Sequence, residues 1–153
     1  MHTHSEKKHV PHTPIQMFNL VSDIEKYSEF LPWCVSTRIR SRDGNELLAD
    51  MVIGYKMFRE RFTSRVTLSE PKRIDVAYSH GPFKYLQNHW IFVPDTDGTC
   101  IIDFYVEFEF RSKIMERMIG IVFNEAVKKM VQSFEKRASS IYSSENQLVN
   151  SQI

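Results

Sequence analysis

Glycine is scarce in this 153-residue chain, with 5 copies against 11 phenylalanines. That scarcity leaves no room for a glycine-rich linker or a phosphate-cradling loop, and neither G-x-G-x-x-G nor a P-loop signature occurs. Cysteine is nearly absent. Cys34 and Cys100 stand alone with no CxxC spacing, which argues against a disulfide framework and against a thiolate zinc module; two reduced, buried thiols are expected. No apolar run approaches the roughly 18 residues of a spanning helix. The opening Met-His-Thr-His-Ser-Glu-Lys-Lys-His has neither an apolar signal core nor the pattern of a transit helix. A cytoplasmic protein is therefore expected, at most peripheral at the inner membrane. Net charge is only +1 and no basic run exceeds two residues, so composition does not announce the basic face of a nucleic-acid-binding domain.

Catalytic signatures are missing as well. There is no G-x-S-x-G and no HExxH. His2, His4, His9 and His12 gather near the start by count, but no third ligand follows at metal-binding spacing. They are expected in a solvated or disordered terminus, and no metal or prosthetic group is expected. Asp103 and Glu107 share a strand face about 13 Å apart, too far for a paired-carboxylate site. A dyad of Cys34 with His80 or His89 would need a tertiary coincidence.

What is present is apolar volume in regular patterns. At 18.1 kDa the chain suits one domain with one core. The phenylalanines and 7 methionines suit either a packed core or a greasy cavity. Residues 2–10 can form an edge-like strand. Thr13 followed by Pro14 is a helix start, and Ile15, Phe18, Leu20 and Val21 give that helix an apolar face. Asp23 is placed to cap a second short helix through Ile24, Tyr27 and Phe30, which Pro32 ends. Period-two alternation then takes over. Leu47, Ala49, Met51, Ile53 and Tyr55 share a face, as do Phe62, Ser64, Val66 and Leu68, then Ile74, Val76 and Tyr78, and then Leu86, Asn88, Trp90 and Phe92. Turns fall at Asp43-Gly44-Asn45, Glu70-Pro71, Ser79-His80-Gly81-Pro82 and Asp95-Thr96-Asp97-Gly98. The last strand is the cleanest, with Cys100, Ile102, Phe104, Val106, Phe108 and Phe110 on one side.

From 113 to 140 the period becomes 3.6. Ile114, Met115, Met118, Ile119, Val122, Phe123, Ala126, Val127, Met130, Phe134 and Ala138 make a broad stripe, with Ser112 as cap. About 28 helical residues span roughly 40 Å, enough to cross a sheet. A domain over 1–142 and a disordered tail over 143–153 are expected. The fold class is α+β, one curved antiparallel sheet wrapped around a long C-terminal helix.

The segment Tyr27-Ser28-Glu29-Phe30-Leu31-Pro32-Trp33-Cys34 packs four large apolar residues into a forced corner. It resembles a motif of the coenzyme Q-binding START-domain family, which is polyketide cyclase-like and includes the bacterial ribosome-association toxins. Further on, Phe62-Thr63-Ser64-Arg65-Val66, Gly81-Pro82-Phe83 with Leu86 and Trp90, Phe108-Glu109-Phe110, and Phe134-Glu135-Lys136-Arg137-Ala138 support the resemblance in order and spacing. It covers residues 3–142 and implies the START-like helix-grip fold.

The resemblance also implies a cavity between sheet and long helix that holds a polyprenyl quinone such as ubiquinone, as bound ligand and not as cofactor. Trp33, Tyr55, Phe62, Ser64, Phe83, Leu86, Trp90, Phe104, Val106, Met118, Val122, Phe123 and Met130 are the expected lining, though periodicity alone would equally make them packed core. Ser64 and Asn88 could each bond a ligand carbonyl or serve local backbone. The implied activity is non-enzymatic carriage of the lipid in support of respiration. Exposed Met57-Phe58 is a candidate membrane contact. Two alternatives stay open. One is a toxin of a type II toxin–antitoxin system on the large ribosomal subunit, which would use Arg38, Arg40, Arg42, Arg59, Arg61 and Arg65. The other is a cyclase-like enzyme, for which no acid/base pair can be named.

Overall fold

The computed structural model describes residues 2–55 and 57–151, with side chains through residue 142. The alternating segments form strands β1 (His2–Val10), β2 (Cys34–Asp43), β3 (Glu46–Tyr55), β4 (Phe58–Ser69), β5 (Arg73–His80), β6 (Phe83–Pro94) and β7 (Cys100–Phe110). They make one antiparallel sheet in the order β1-β7-β6-β5-β4-β3-β2. Strands β2 to β7 run as a meander, because each is joined to the next by a short turn. β1 closes the far edge, pairing His2 with Phe108 and Val10 with Cys100.

Helix α1 (Pro14–Ser22) begins as its sequence requires. Thr13 Oγ1 accepts from the Gln16 backbone N–H at 3.2 Å, and Gln16 Oε1 accepts from the Thr13 N–H at 3.0 Å, a reciprocal capping box with Pro14 at the first helical position. α1 buries Met17, Phe18, Leu20 and Val21. A 3-10 helix follows over Ile24–Glu29. Asp23 stands at its N-cap as expected, but its side chain makes no capping bond. Instead Thr37 Oγ1 donates to the Ile24 carbonyl at 2.9 Å and ties the turn to β2.

Helix α2 (Lys113–Ser151) is capped by Ser112, whose Oγ accepts from the Met115 N–H at 3.3 Å. Its buried seam is Phe123, Val127, Val131, Phe134 and Ala138, spaced to share one side of a 3.6-residue helix. Ile114, expected in that stripe, is 69 % exposed, while its neighbour Met115 borders the cavity and Glu116 accepts from the Phe110 N–H. The helix extends past the 140 read from the sequence. The expected tail over 143–153 falls mostly outside the described side chains, and residues 152–153 outside the described residues altogether.

Of the N-terminal histidines His9 is exposed, as expected, but His2 and His4 are half-buried and His12 is buried. Pairing with β7 turns alternate residues of β1 inward, and α2 covers them. The His2 ring packs against Phe108 at 5.2 Å and Phe123 at 5.3 Å, with Nε2 2.8 Å from Glu116 Oε1. His12 is buried at 4 % exposure beside the Tyr142 ring at 5.8 Å.

The tightest core lies at one end of the sheet. Met17 and Val21 of α1, Leu47, Ile74, Phe92, Cys100 and Phe104 of the strands, and Phe134 of α2 are all buried there. α1 plugs that end, so the remaining concave surface is covered by α2 and the Tyr27–Cys34 corner.

Candidate functional site

A cavity of about 340 Å³ lies between the concave face and α2. All thirteen residues expected as lining border it. Trp33 and Tyr55 stand at the β2–β3 side, and Phe62 and Ser64 come from β4. Phe83, Leu86 and Trp90 come from β6, Phe104 and Val106 from β7, and Met118, Val122, Phe123 and Met130 from α2. The strand residues meet because period-two alternation sends them to one face. The helix residues meet them because positions three and four apart share a side.

The Tyr27–Cys34 corner closes one flank. Tyr27 donates its hydroxyl to the Val21 carbonyl. Its ring and that of Phe30 meet Phe134 edge-on at 5.3 and 5.2 Å, and Trp90 meets the same ring at 4.9 Å. Arg137 reaches back over the Phe30 ring at 5.2 Å and to Glu29 at 3.2 Å. Two separate sequence motifs are thus one contact. Trp33 takes a left-handed backbone at φ 64°, uncommon for a bulky residue. Its carbonyl accepts from Gly54 N–H at 2.8 Å, and its indole meets Tyr55 at 6.1 Å.

The two inward polar residues behave differently. Both polar atoms of Asn88 have partners: its Nδ2 donates to the Tyr105 carbonyl at 2.8 Å and its Oδ1 accepts from Trp90 Nε1 at 3.2 Å. It orients Trp90. Ser64 is 5 % exposed, and its Oγ has no hydrogen-bond partner among the described residues.

Sequence reasoning missed Glu60, the one acidic residue bordering the cavity among the described residues. The signal was present, since Phe58, Glu60, Phe62, Ser64 and Val66 alternate along β4. Tyr27, Leu31, Met115 and Ile119 also border the cavity unannounced. Phe58 is not the exposed loop residue expected beside Met57. It begins β4 and borders the cavity, while Met57 is 96 % exposed. Cys34 is half-buried at the cavity wall, and burial pushes its thiol pKa up. His80 contacts Ser79 at 2.9 Å in the turn, and His89 stacks on Tyr105 at 5.4 Å. Neither joins Cys34 in a dyad.

The polyketide cyclase / dehydrase and lipid transport family matches residues 10–135. The chain belongs to that family. A relative named ribosome association toxin RatA, from Rickettsia prowazekii, is 38 % identical over 138 residues, 88 % of this chain and 94 % of the relative. The protein named coenzyme Q-binding protein COQ10 homolog B, mitochondrial, from Xenopus laevis is 32 % identical over 143 residues, 91 % of this chain and 59 % of that protein. A START superfamily protein from Mycobacterium smegmatis superposes with a TM-score of 0.79 at 16 % identity, covering 92 % of this chain and 99 % of its own. That last likeness is one of fold. The START-like helix grip expected from the sequence is the architecture found.

The outer face of this START-like sheet has its own electrostatics. Asp50 is buried there at 7 % exposure. Burial pushes its carboxyl up. The Thr63 hydroxyl at 2.6 Å, with Arg40 at 3.4 Å and Arg38 at 3.3 Å, outweighs that and holds it below the ordinary carboxylate range. Arg61 borders the same shallow groove, and Arg65 pairs with Glu46 at 3.2 Å while staying 62 % exposed. No helix among the described residues is long and apolar enough to cross a membrane.

Proposed function

We propose that this protein carries a hydrophobic ligand, best fitted by a polyprenyl quinone such as ubiquinone, without transforming it. One observation carries the reading: a continuous cavity walled by aromatic, aliphatic and methionine side chains where a filled core would otherwise stand. Ligand sites are concave, mostly apolar and sparing in polar groups. The relative named for coenzyme Q binding supports the quinone assignment. A carrier reading fits the lining, where among the described residues no second acid or base borders the cavity with Glu60 and Cys34 is held as a thiol. A cavity of about 340 Å³ sits at the lower end of the roughly 300–1,000 Å³ range of ligand pockets. It takes a ring and the start of its chain, and the rest of a polyprenyl tail leaves through the opening. The tail and the ligand's source imply contact with a membrane. The exposed Met57 on the β3–β4 hairpin, and Ile114 and Ile121 on α2, at 96 %, 69 % and 82 % exposure, are the side chains to make it.

Organic extraction of the purified protein followed by mass spectrometry tests this. Quinone or another neutral lipid is expected at a substantial fraction of protein. An empty extract, together with no binding of an added short-chain quinone, overturns it.

A second reading is ribosome association, favoured by the arginines on the outer face of β2 and β4 and by the relative of that name. It uses a different surface from the cavity. Co-sedimentation with the large subunit, falling steeply between low and high salt, is its expected signature. No co-sedimentation at low salt removes it.

A further inference from the structure

Resting on the carrier reading, we propose that the cavity selects neutral lipids whose head carries a hydrogen-bond acceptor, seated head-first on Ser64, and that Glu60 turns anionic lipids away. Ser64 is more than nine-tenths buried, borders the cavity, and has an unpartnered hydroxyl. A buried hydroxyl left unpaired is unfavourable, so a group that accepts from it is favoured at that point. Tyr78 stands directly opposite Ser64 in the β4–β5 register. Its hydroxyl is also buried without a partner, and its ring meets Phe83 of the cavity wall at 5.5 Å. Ser64 borders the cavity itself; Tyr78 does not, and stands one strand over as a second unpaired donor behind the wall.

The depth of each group sets the orientation. Past Ser64 the cavity wall is purely apolar, with Val66, Ile74 and Trp90 bordering it and each buried from solvent. In the other direction β4 runs through Glu60 to Phe58 and the fully exposed Met57. Glu60 therefore lies about 13 Å from Ser64 on the same face, toward the opening. Among the described residues no Lys, Arg or His borders the cavity. A carboxylate or phosphate head would pass a like charge and then sit with no cation, which is strongly unfavourable in an apolar wall. A quinone carbonyl meets neither obstacle.

The test uses the full chain and three probes: a benzoquinone with one decyl chain, decylbenzene, and oleate. Binding is measured by equilibrium dialysis at pH 7 on wild type, S64A and E60Q, with circular dichroism as the check on folding. Wild type is expected to hold the quinone at least tenfold tighter than oleate. S64A should lose about tenfold for the quinone and nothing for decylbenzene. E60Q should narrow the preference for quinone over oleate at least tenfold. Equal wild-type affinity for oleate and quinone overturns the selectivity. Equal losses for quinone and decylbenzene in S64A overturn the head-first seat, and the wild-type comparison guards against a variant misfolding. Wild type that binds neither quinone nor decylbenzene defeats the carrier reading itself, a result distinct from failed selectivity.

Discussion

His12 shows how much a single side chain can hide at the sequence level. Among four histidines within eleven positions it looks like part of a solvated terminus, yet it is buried against Tyr142 and neither ring nitrogen has a hydrogen-bond partner among the described residues. Burial lowers its pKa from the ordinary 6.5. The sign follows directly. The unfolded chain takes up a proton near pH 6.5 and the folded chain resists it, so stability is full above that pH and declines below it. His12→Phe keeps a ring against Tyr142 and removes the proton. Chemical unfolding from pH 7.5 to 5 should show wild type losing stability with acid while the variant stays flatter; parallel curves would refute the assignment. Ser64 and Asn88 make the same point about polar residues. Both sit between apolar neighbours on inward strand faces, and alternation cannot tell them apart. The difference is a cross-strand one, since Asn88 finds the Tyr105 carbonyl on β7 and Ser64 finds no partner among the described residues.

At the level of elements, local chemistry is a good guide wherever it is self-contained. The Thr13–Gln16 capping box needs only four consecutive residues. The turn at Gly81 is likewise written locally, but its tolerance is not. Gly81 has φ +143°, and a Cβ there would lie 2.6 Å from Phe62 Cβ and 2.9 Å from Phe62 Cα. Gly81→Ala should therefore cost about 2 kcal/mol or more, read as a fall in the denaturation midpoint, and should disturb the cavity wall through Phe62. α2 offers the complementary case. Its stripe is plain from periodicity, yet periodicity does not rank its members: Ile114 is mostly exposed while Phe134 is 2 % exposed among three aromatic rings. Phe134→Ala should cost about 3–5 kcal/mol. A loss under 1 kcal/mol in urea unfolding would mean the Tyr27–Phe30 corner is not held by this helix.

The whole molecule decides what the apolar faces enclose. α1 fills one end of the concave sheet with Met17, Phe18, Leu20 and Val21, and α2 spans the remainder at a distance its side chains do not fill. Ala126 borders that space from α2. Ala126→Phe should occupy it, abolishing binding of the decyl quinone while leaving thermal stability equal or higher, because an added ring in open volume makes contacts without strain. Lower stability with binding intact would mean the space is not available to a ligand. Helix order, the corner at Pro32 and most of the strands were readable from the chain, because alternation, caps and turn residues act over a few neighbours, and the family was readable from the motif at Tyr27–Cys34 and those after it. Most of the thirteen expected lining residues were readable as inward-facing from alternation, and the family resemblance completed the set. That they border a cavity in place of a closed core, that Glu60 joins Ser64 beside it, and that Arg38 and Arg40 converge on Asp50 required the packed sheet. Those relations depend on strand register and on the stand-off of α2, which are set by contacts between residues far apart in the chain.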